Sequence, residues 1–229
     1  MSQFICSASV MCANLARLED DLVALEKGGI DELHFDIMDG TFVPNYTLGF
    51  DFIKAAKACT PKVHCNAHLM IERPERYIER FAKAGCDSIT IHVETCPHAQ
   101  RTLQQIRDTG ASPGIAINPA TSLTKLQYLL PYVDRVLIMT VDPGYSGQKI
   151  IESSFERVRI LNENIRYNEY TAKIEVDGNI NVENAARLAR FGAEIFVLGT
   201  SSVFLGPDIP LGDALATFRA EVETQKHLV

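Results

Sequence analysis

Leu33-His34-Phe35-Asp36-Ile37-Met38-Asp39-Gly40-Thr41-Phe42-Val43-Pro44-Asn45 is the stretch on which the fold turns. It begins as a strand and ends as a loop, broken at Asp39-Gly40. Side chains alternate faces along a strand, so His34, Asp36 and Met38 share one face and Leu33, Phe35 and Ile37 the other. The apolar face suits packing against helices. A polar row at the carboxyl end of a buried strand is costly unless something pairs with it, and a metal ion would do so. Taken alone, the segment is equally well explained by a satisfied His–Asp pair with no chemistry. Two further segments shift that balance. In His64-Cys65-Asn66-Ala67-His68-Leu69-Met70, residues Asn66, His68 and Met70 share a face, and in Ile174-Glu175-Val176-Asp177-Gly178, Glu175 and Asp177 are in phase before a glycine. Three strands thus each bring a candidate metal ligand to their carboxyl ends.

Working outward, short apolar runs rich in β-branched residues recur near 4–10, 32–38, 62–69, 87–93, 113–118, 133–140, 172–177 and 194–199. Between them lie segments of helical period, about 14–27, 50–58, 73–84, 98–108, 123–130, 153–167, 182–190 and 212–226. In the first, Leu15, Leu18, Leu22 and Leu25 form one stripe, with Asn14 as its N-cap and Gly28-Gly29 as its stop. Glycine returns from helix to strand at Gly29, Gly85, Gly110 and Gly192. Strand–helix alternation argues for a parallel sheet, and eight units in this length argue for closure into one α/β domain over residues 1–229, a (β/α)8 TIM barrel. An open doubly wound sheet would normally carry a Gly-x-Gly-x-x-Gly turn after its first strand, and Ser7-Ala8-Ser9-Val10-Met11-Cys12-Ala13 is not one.

Composition narrows the function. The chain has 229 residues, 46% of them hydrophobic, and a net charge of −7. Its Lys and Arg residues are dispersed, so the basic stripe of a nucleic-acid binder is missing. No run reaches membrane-spanning length and no signal peptide opens the chain, so no membrane partner is expected. Cys6, Cys12, Cys59, Cys65, Cys86 and Cys96 form no Cys-x-x-Cys pair and read as reduced thiols of a cytoplasmic protein.

In such a barrel the active site lies at the carboxyl ends of the strands. His34, Asp36, His68 and Asp177 offer two imidazoles and two carboxylates, a donor set for one divalent metal ion. Zinc is the default, with Fe2+, Mn2+ or Co2+ as alternatives, and the second carboxylate speaks against a non-haem iron oxygenase. Strands 2 and 7 lie three steps apart in an eight-membered ring, so Asp36 and Asp177 can meet a substrate from opposite faces. Two bases so placed are what inversion of a carbon stereocentre needs, one removing a proton and the other returning it from behind, through an enediolate that a metal stabilises. Met38, Met70 and Met139 share the parity of the same mouth and would line it with dry, proton-inert surface, though core filling is the plainer role for each. Ser9 ends the first strand, within reach of a substrate hydroxyl. Gly144-Tyr145-Ser146-Gly147 follows strand 6, Gly178-Asn179 follows strand 7 and Gly199-Thr200 follows strand 8. Three such loops side by side read as a phosphate site built from backbone N–H groups. Lys173, the residue a Schiff-base aldolase would need, sits at the wrong end of strand 7. A catalytically silent sugar-phosphate-binding barrel is the other alternative.

The order and spacing of Ser9-Val10-Met11-Cys12-Ala13-Asn14-Leu15, His34 to Asn45, His68-Leu69-Met70-Ile71, Asn118-Pro119-Ala120-Thr121, Met139 to Gln148, Glu175-Val176-Asp177-Gly178 and Gly199-Thr200 resemble the ribulose-phosphate 3-epimerase family over essentially the whole chain. The resemblance implies a metal-dependent, homo-oligomeric 3-epimerase of a ketose phosphate. On it, His34, Asp36, His68 and Asp177 are metal ligands, and Asp36 and Asp177 are also the acid–base pair. Ser9 is a substrate contact, and the three glycine loops hold the phosphate. Pentose-phosphate members usually read Pro-Ser-Ile-Leu-Ser-Ala-Asp where this chain has Ala8 to Asn14, and Val-Asp-Gly-Gly where it has Val176 to Asn179. The Ser-x-Met-Cys block and the polar Asn179 are more similar to the D-allulose-6-phosphate 3-epimerase branch. The expected reaction is therefore D-allulose 6-phosphate to D-fructose 6-phosphate, with D-ribulose 5-phosphate to D-xylulose 5-phosphate as the alternative.

Overall fold

In the computed structural model, which describes residues 4–227, the alternation read in residues 32–38 becomes strand β2, Glu32–Met38, buried along its full length. Asp39 ends it: one carboxylate oxygen accepts the N–H groups of Thr41 and Phe42, and the other accepts that of Glu72. The neighbouring strands are β1 (Ile5–Ser9), β3 (His64–Met70), β4 (Ser88–His92), β5 (Ser112–Ile117), β6 (Arg135–Met139), β7 (Lys173–Asp177) and β8 (Ile195–Leu198). All pair in parallel in sequence order, and β8 pairs with β1 to close the ring. The result is the expected single-domain (β/α)8 barrel, which leaves no sheet edge exposed.

Helices α1 (Leu18–Lys27), α2 (Phe50–Cys59), α3 (Ile78–Ala84), α4 (Ala99–Asp108), α5 (Ser153–Tyr167), α6 (Val182–Phe191) and α7 (Leu211–Gln225) wrap the ring. The main apolar core lies between them and the outer face of the strands, where Leu33, Phe35, Ile37, Phe81, Phe196 and Phe218 are buried together. Two local expectations fail. The segment after β5 forms two short 3-10 turns, Leu123–Leu126 and Leu130–Tyr132, in place of an α-helix. The segment is short, and within 123–130 only Leu126 and Leu130 are buried, too little packing to sustain so short an α-helix. Leu15 is not part of the α1 stripe: it lies in a separate 3-10 turn capped by Asn14 and is 51% exposed, whereas Leu22 and Leu25 are buried.

The barrel interior is largely polar. Register explains why: Glu32, His34, Asp36 and Met38 of β2 lie beside His64, Asn66, His68 and Met70 of β3. At the amino-terminal floor, Arg135 donates two 2.9 Å hydrogen bonds to Glu32 and a 3.3 Å bond to Glu175. Gly114 on β5 leaves room for this guanidinium stem, because a methyl group there would overlap Thr90 Oγ1 and come within 2.8 Å of Arg135 Cγ. Overpacking of this kind costs on the order of 1–3 kcal/mol. Gly114→Ala should therefore lower the denaturant midpoint at unchanged slope; an unchanged midpoint would show that Arg135 needs no such clearance.

Candidate active site

β2, β3 and β7 bring their polar rows to one point. One ligand atom each from His34, Asp36, His68 and Asp177 lies within 4.8 Å of all the others. His34 Nε2 is 3.4 Å from Asp36 Oδ1 and 4.0 Å from Asp177 Oδ2. His68 Nδ1 is 3.3 Å from Asp36 Oδ1, 3.8 Å from Asp177 Oδ2 and 3.3 Å from His34 Nε2. Two imidazole nitrogens and two carboxylate oxygens converging in a buried place fit a divalent transition metal ion. The far nitrogen of each ring is also held. His34 Nδ1 lies 3.2 Å from Glu175 Oε1, and His68 Nε2 lies 2.8 Å from His92 Nε2. Such outer partners are what orient imidazole ligands.

Above this cluster opens a pocket at the carboxyl-terminal mouth. Ser9, Asp36, Met38, Met70, Met139 and Asp177 form its base. Gly144, Tyr145, Ser146, Gly147, Gly178, Asn179, Gly199 and Thr200 form its rim, so the three glycine loops do meet in space. His34 and His68 are fully buried beneath the base. Ser9 differs in detail from its expected role, because its hydroxyl donates a 2.6 Å hydrogen bond to Asp36 Oδ2. Lys173 is exposed at the start of β7, at the opposite end of the barrel from the pocket.

Comparison with known proteins agrees with this geometry. A sequence model of the ribulose-phosphate 3 epimerase family matches residues 5–204. The chain is 42% identical over 201 residues to ribulose-phosphate 3-epimerase of Aquifex aeolicus, covering 88% of this chain and 90% of that protein. It is 40% identical to the Bacillus subtilis enzyme of the same name, covering 84% and 89%, and 36% identical to that of Escherichia coli K12, covering 91% and 92%. The chain belongs to the ribulose-phosphate 3-epimerase family. It is accordingly an isomerase. Among solved structures, KGPDC of Streptococcus mutans aligns with a TM-score of 0.71 at 13% identity, over 96% of this chain and 97% of that one. A tryptophan synthase α-subunit of Pyrococcus furiosus aligns with a TM-score of 0.65 at 15% identity, over 97% and 98%. These two share the fold.

Within this epimerase the charges are unevenly poised. Considering protein groups alone, burial raises the Asp177 carboxyl and the Asp36 carboxylate raises it further. Burial also opposes ionisation of Asp36, but His34 and His68 outweigh it and hold that carboxyl far below the usual range. Burial opposes protonation of His34, and the Asp36 and Glu175 carboxylates overcome it. Burial pushes His68 down to about 4. A bound cation would favour ionised carboxylates at both positions.

Several contributors are absent from the sequence reading. Cys12, Val141 and Ser201 also line the pocket. His92 and Glu94 extend the His68 side, and the ion network Glu32–Arg135–Glu175 backs His34. Parity held the signal: Glu32 is in phase with His34, His92 ends β4, and Arg135 is in phase with Met139. Among the described residues no helix is long and apolar enough to cross a membrane.

Glu175 gives a pH-dependent test. Burial raises its carboxyl, but Arg135 and His34 outweigh that and hold it at about 2, below the ordinary 4.5. A carboxyl lowered on folding contributes stability that is present above the unfolded value and lost as pH falls through the folded one. That contribution is on the order of 3 kcal/mol. With a chelator present to keep metals away, the stability gap between wild type and Glu175→Gln should be full above pH 4.5 and should shrink as pH falls toward 2. A gap that stays constant across that window would contradict the assignment.

Proposed function

We propose that this chain epimerises a ketose phosphate at C3 by two-base proton transfer, with D-ribulose 5-phosphate and D-xylulose 5-phosphate as its reactant pair. The convergence of His34, Asp36, His68 and Asp177 beneath a pocket rimmed by three glycine loops carries the reading. Asp36 and Asp177 stand on strands three steps apart in the ring. Both carboxyl groups face the same pocket, where one can take a proton from a substrate carbon while the other, protonated, returns one. In one direction Asp36 takes the C3 proton and Asp177 delivers one to the other face; in reverse the roles exchange. The Ser9 hydroxyl steers the Asp36 carboxylate. Met38, Met70 and Met139 keep the base of the pocket dry, which strengthens every charge interaction there without offering a competing proton. A divalent ion, zinc by default, would be held by the four ligands and would supply Lewis-acid stabilisation of charge developing on the substrate oxygens. Backbone groups of the loops at Gly144–Gly147, Gly178–Asn179 and Gly199–Thr200 receive the phosphate.

The pentulose is preferred because the Aquifex, Bacillus and Escherichia relatives carry the name ribulose-phosphate 3-epimerase. That reverses the expectation drawn from the sequence blocks. A second reading, D-allulose 6-phosphate, retains one specific support: Met11, Cys12 and Asn179, the residues that set this chain apart within its motifs, all line the pocket. We further infer a cytoplasmic homo-oligomer. All six cysteines are unpaired, as a reducing compartment requires.

Incubation in D2O with a metal-loaded protein should place deuterium at C3 of ribulose 5-phosphate. Asp36→Asn and Asp177→Asn should each lower turnover by about 10²–10⁴-fold. Absence of exchange with every five- and six-carbon ketose phosphate would refute the epimerase reading. Side-by-side kcat/KM values should favour ribulose 5-phosphate over allulose 6-phosphate by at least about tenfold, and the opposite order would transfer the assignment to the hexulose.

A further inference from the structure

We infer that Glu94 and His92 form a proton-orienting relay that keeps the metal-facing nitrogen of His68 free of hydrogen, and that Glu94 sets its direction. The inference rests on the metal centre proposed above and assigns these two residues a positioning role in it.

The two histidines of the cluster face it through different nitrogens. His34 presents Nε2, with Nδ1 turned to Glu175 Oε1 at 3.2 Å. His68 presents Nδ1, with Nε2 turned to His92 Nε2 at 2.8 Å. A neutral imidazole carries one N–H and one lone pair. For His68 to ligate through Nδ1, its hydrogen must sit on Nε2. Two ring nitrogens 2.8 Å apart share one hydrogen, so His92 Nε2 must then accept. The His92 hydrogen is therefore on Nδ1, which faces Glu94 Oε2 at 3.1 Å. A carboxylate accepts and cannot donate. The other Glu94 oxygen is taken by the Asn118 backbone N–H at 2.8 Å.

The chain of hydrogens is thus anchored at Glu94 and propagates inward to the His68 lone pair. Its reverse is geometrically just as good. If His92 carried its hydrogen on Nε2, it would donate to His68 Nε2 and force the His68 hydrogen onto Nδ1, where it would block the ligand position. Two acceptors compete for the hydrogens: the Glu94 carboxylate at His92 Nδ1 and the Asp36 carboxylate 3.3 Å from His68 Nδ1. A cation at the cluster would engage Asp36 and remove that competition, so that Glu94 sets the direction. The rings themselves cannot swing away. His92 is fully buried, with His68 against it at 5.0 Å between centroids and Phe42 at 4.8 Å.

Glu94→Gln is the discriminating substitution because it keeps size and shape. The Asn118 N–H pins the glutamine oxygen, which leaves its NH2 group facing His92 Nδ1. That donor reverses the relay. Outer partners of this kind are worth about 10–100-fold in metal affinity. We expect Glu94→Gln to weaken Zn(II) binding by about that factor in competition with a chromophoric chelator, under conditions where circular dichroism shows both metal-free proteins fully folded. In metal-free Asp36→Ala protein, which lacks the competing acceptor at His68 Nδ1, imidazole 15N shifts should show His68 with its hydrogen on Nε2, and adding Glu94→Gln should move it to Nδ1. Glu94→Asp, which retains an acceptor, should recover the Nε2 tautomer. His92→Phe, which offers His68 no acceptor, should also weaken Zn(II) binding. Zn(II) affinity of Glu94→Gln within about twofold of wild type, well short of the effect of losing an outer partner, or an unaltered His68 tautomer, would overturn the relay while leaving the metal centre intact. Wild-type protein that takes up no Zn(II), Mn(II), Fe(II) or Co(II) would overturn the metal centre, and the relay's purpose with it.

Discussion

Two carboxylates buried side by side cannot both stay ionised unless positive charge lies close, and the interior of this barrel is arranged around that constraint. Asp36 and Asp177 share one small volume with His34 and His68. Protein groups alone settle the conflict by raising Asp177 and lowering Asp36. The same conflict makes the place attractive to a cation, which would relieve the like-charge repulsion that burial magnifies.

The rest of the interior keeps that charge arrangement rigid. Glu32, Arg135 and Glu175 form a buried ion network at the barrel floor, and Glu175 passes its second interaction up to His34. Removing one partner of such a buried network is costly, although an apolar core of equal volume would often be as stable as the intact network. The value of the network here is geometric. Asn66 donates to Glu175 Oε1 and accepts from Ser88 and Thr90, so a continuous set of hydrogen bonds crosses β7, β3 and β4. Polar groups linked this way inside a closed ring have few alternative arrangements.

Much of this was legible from period and parity. Alternation in 32–38 placed the apolar face outward and the polar row inward, and Gly29, Gly85, Gly110 and Gly192 marked four of the returns to strand. What parity cannot supply is register between strands. That Asp36 lies beside His68, and His34 beside Asn66, depends on how β2 and β3 align, which no local pattern states. Arg135 and Glu32 are 103 residues apart, so their pairing is visible only once the ring closes. His92 was accessible in principle, as an in-phase polar residue ending a strand. It escaped because a single inward histidine has no partner until β3 is set beside β4. The helix expected after β5 is missing because so short a segment, with only Leu126 and Leu130 buried, cannot sustain itself whatever its period.

The division of labour between strands and loops explains why the reaction was easier to read than the substrate. His34, Asp36, His68 and Asp177 project from strands, held by the ladders of the closed ring. The phosphate end is framed by loops whose positions depend on cross-loop contacts. Asn45 Nδ2 donates to the Gly144 carbonyl at 2.8 Å, joining the β2 loop to the β6 loop. Asn179, in left-handed backbone at φ 53°, accepts from the Ile150 N–H and donates to Ser201, joining the loops after β6, β7 and β8. On the proposed function, a carbon added between the reacting centre and the phosphate would move only the phosphate end, so discrimination between five- and six-carbon substrates would fall on these braces. Substituting the residue after Asp177-Gly178 would then retune substrate length while leaving the strand-borne carboxylates in place.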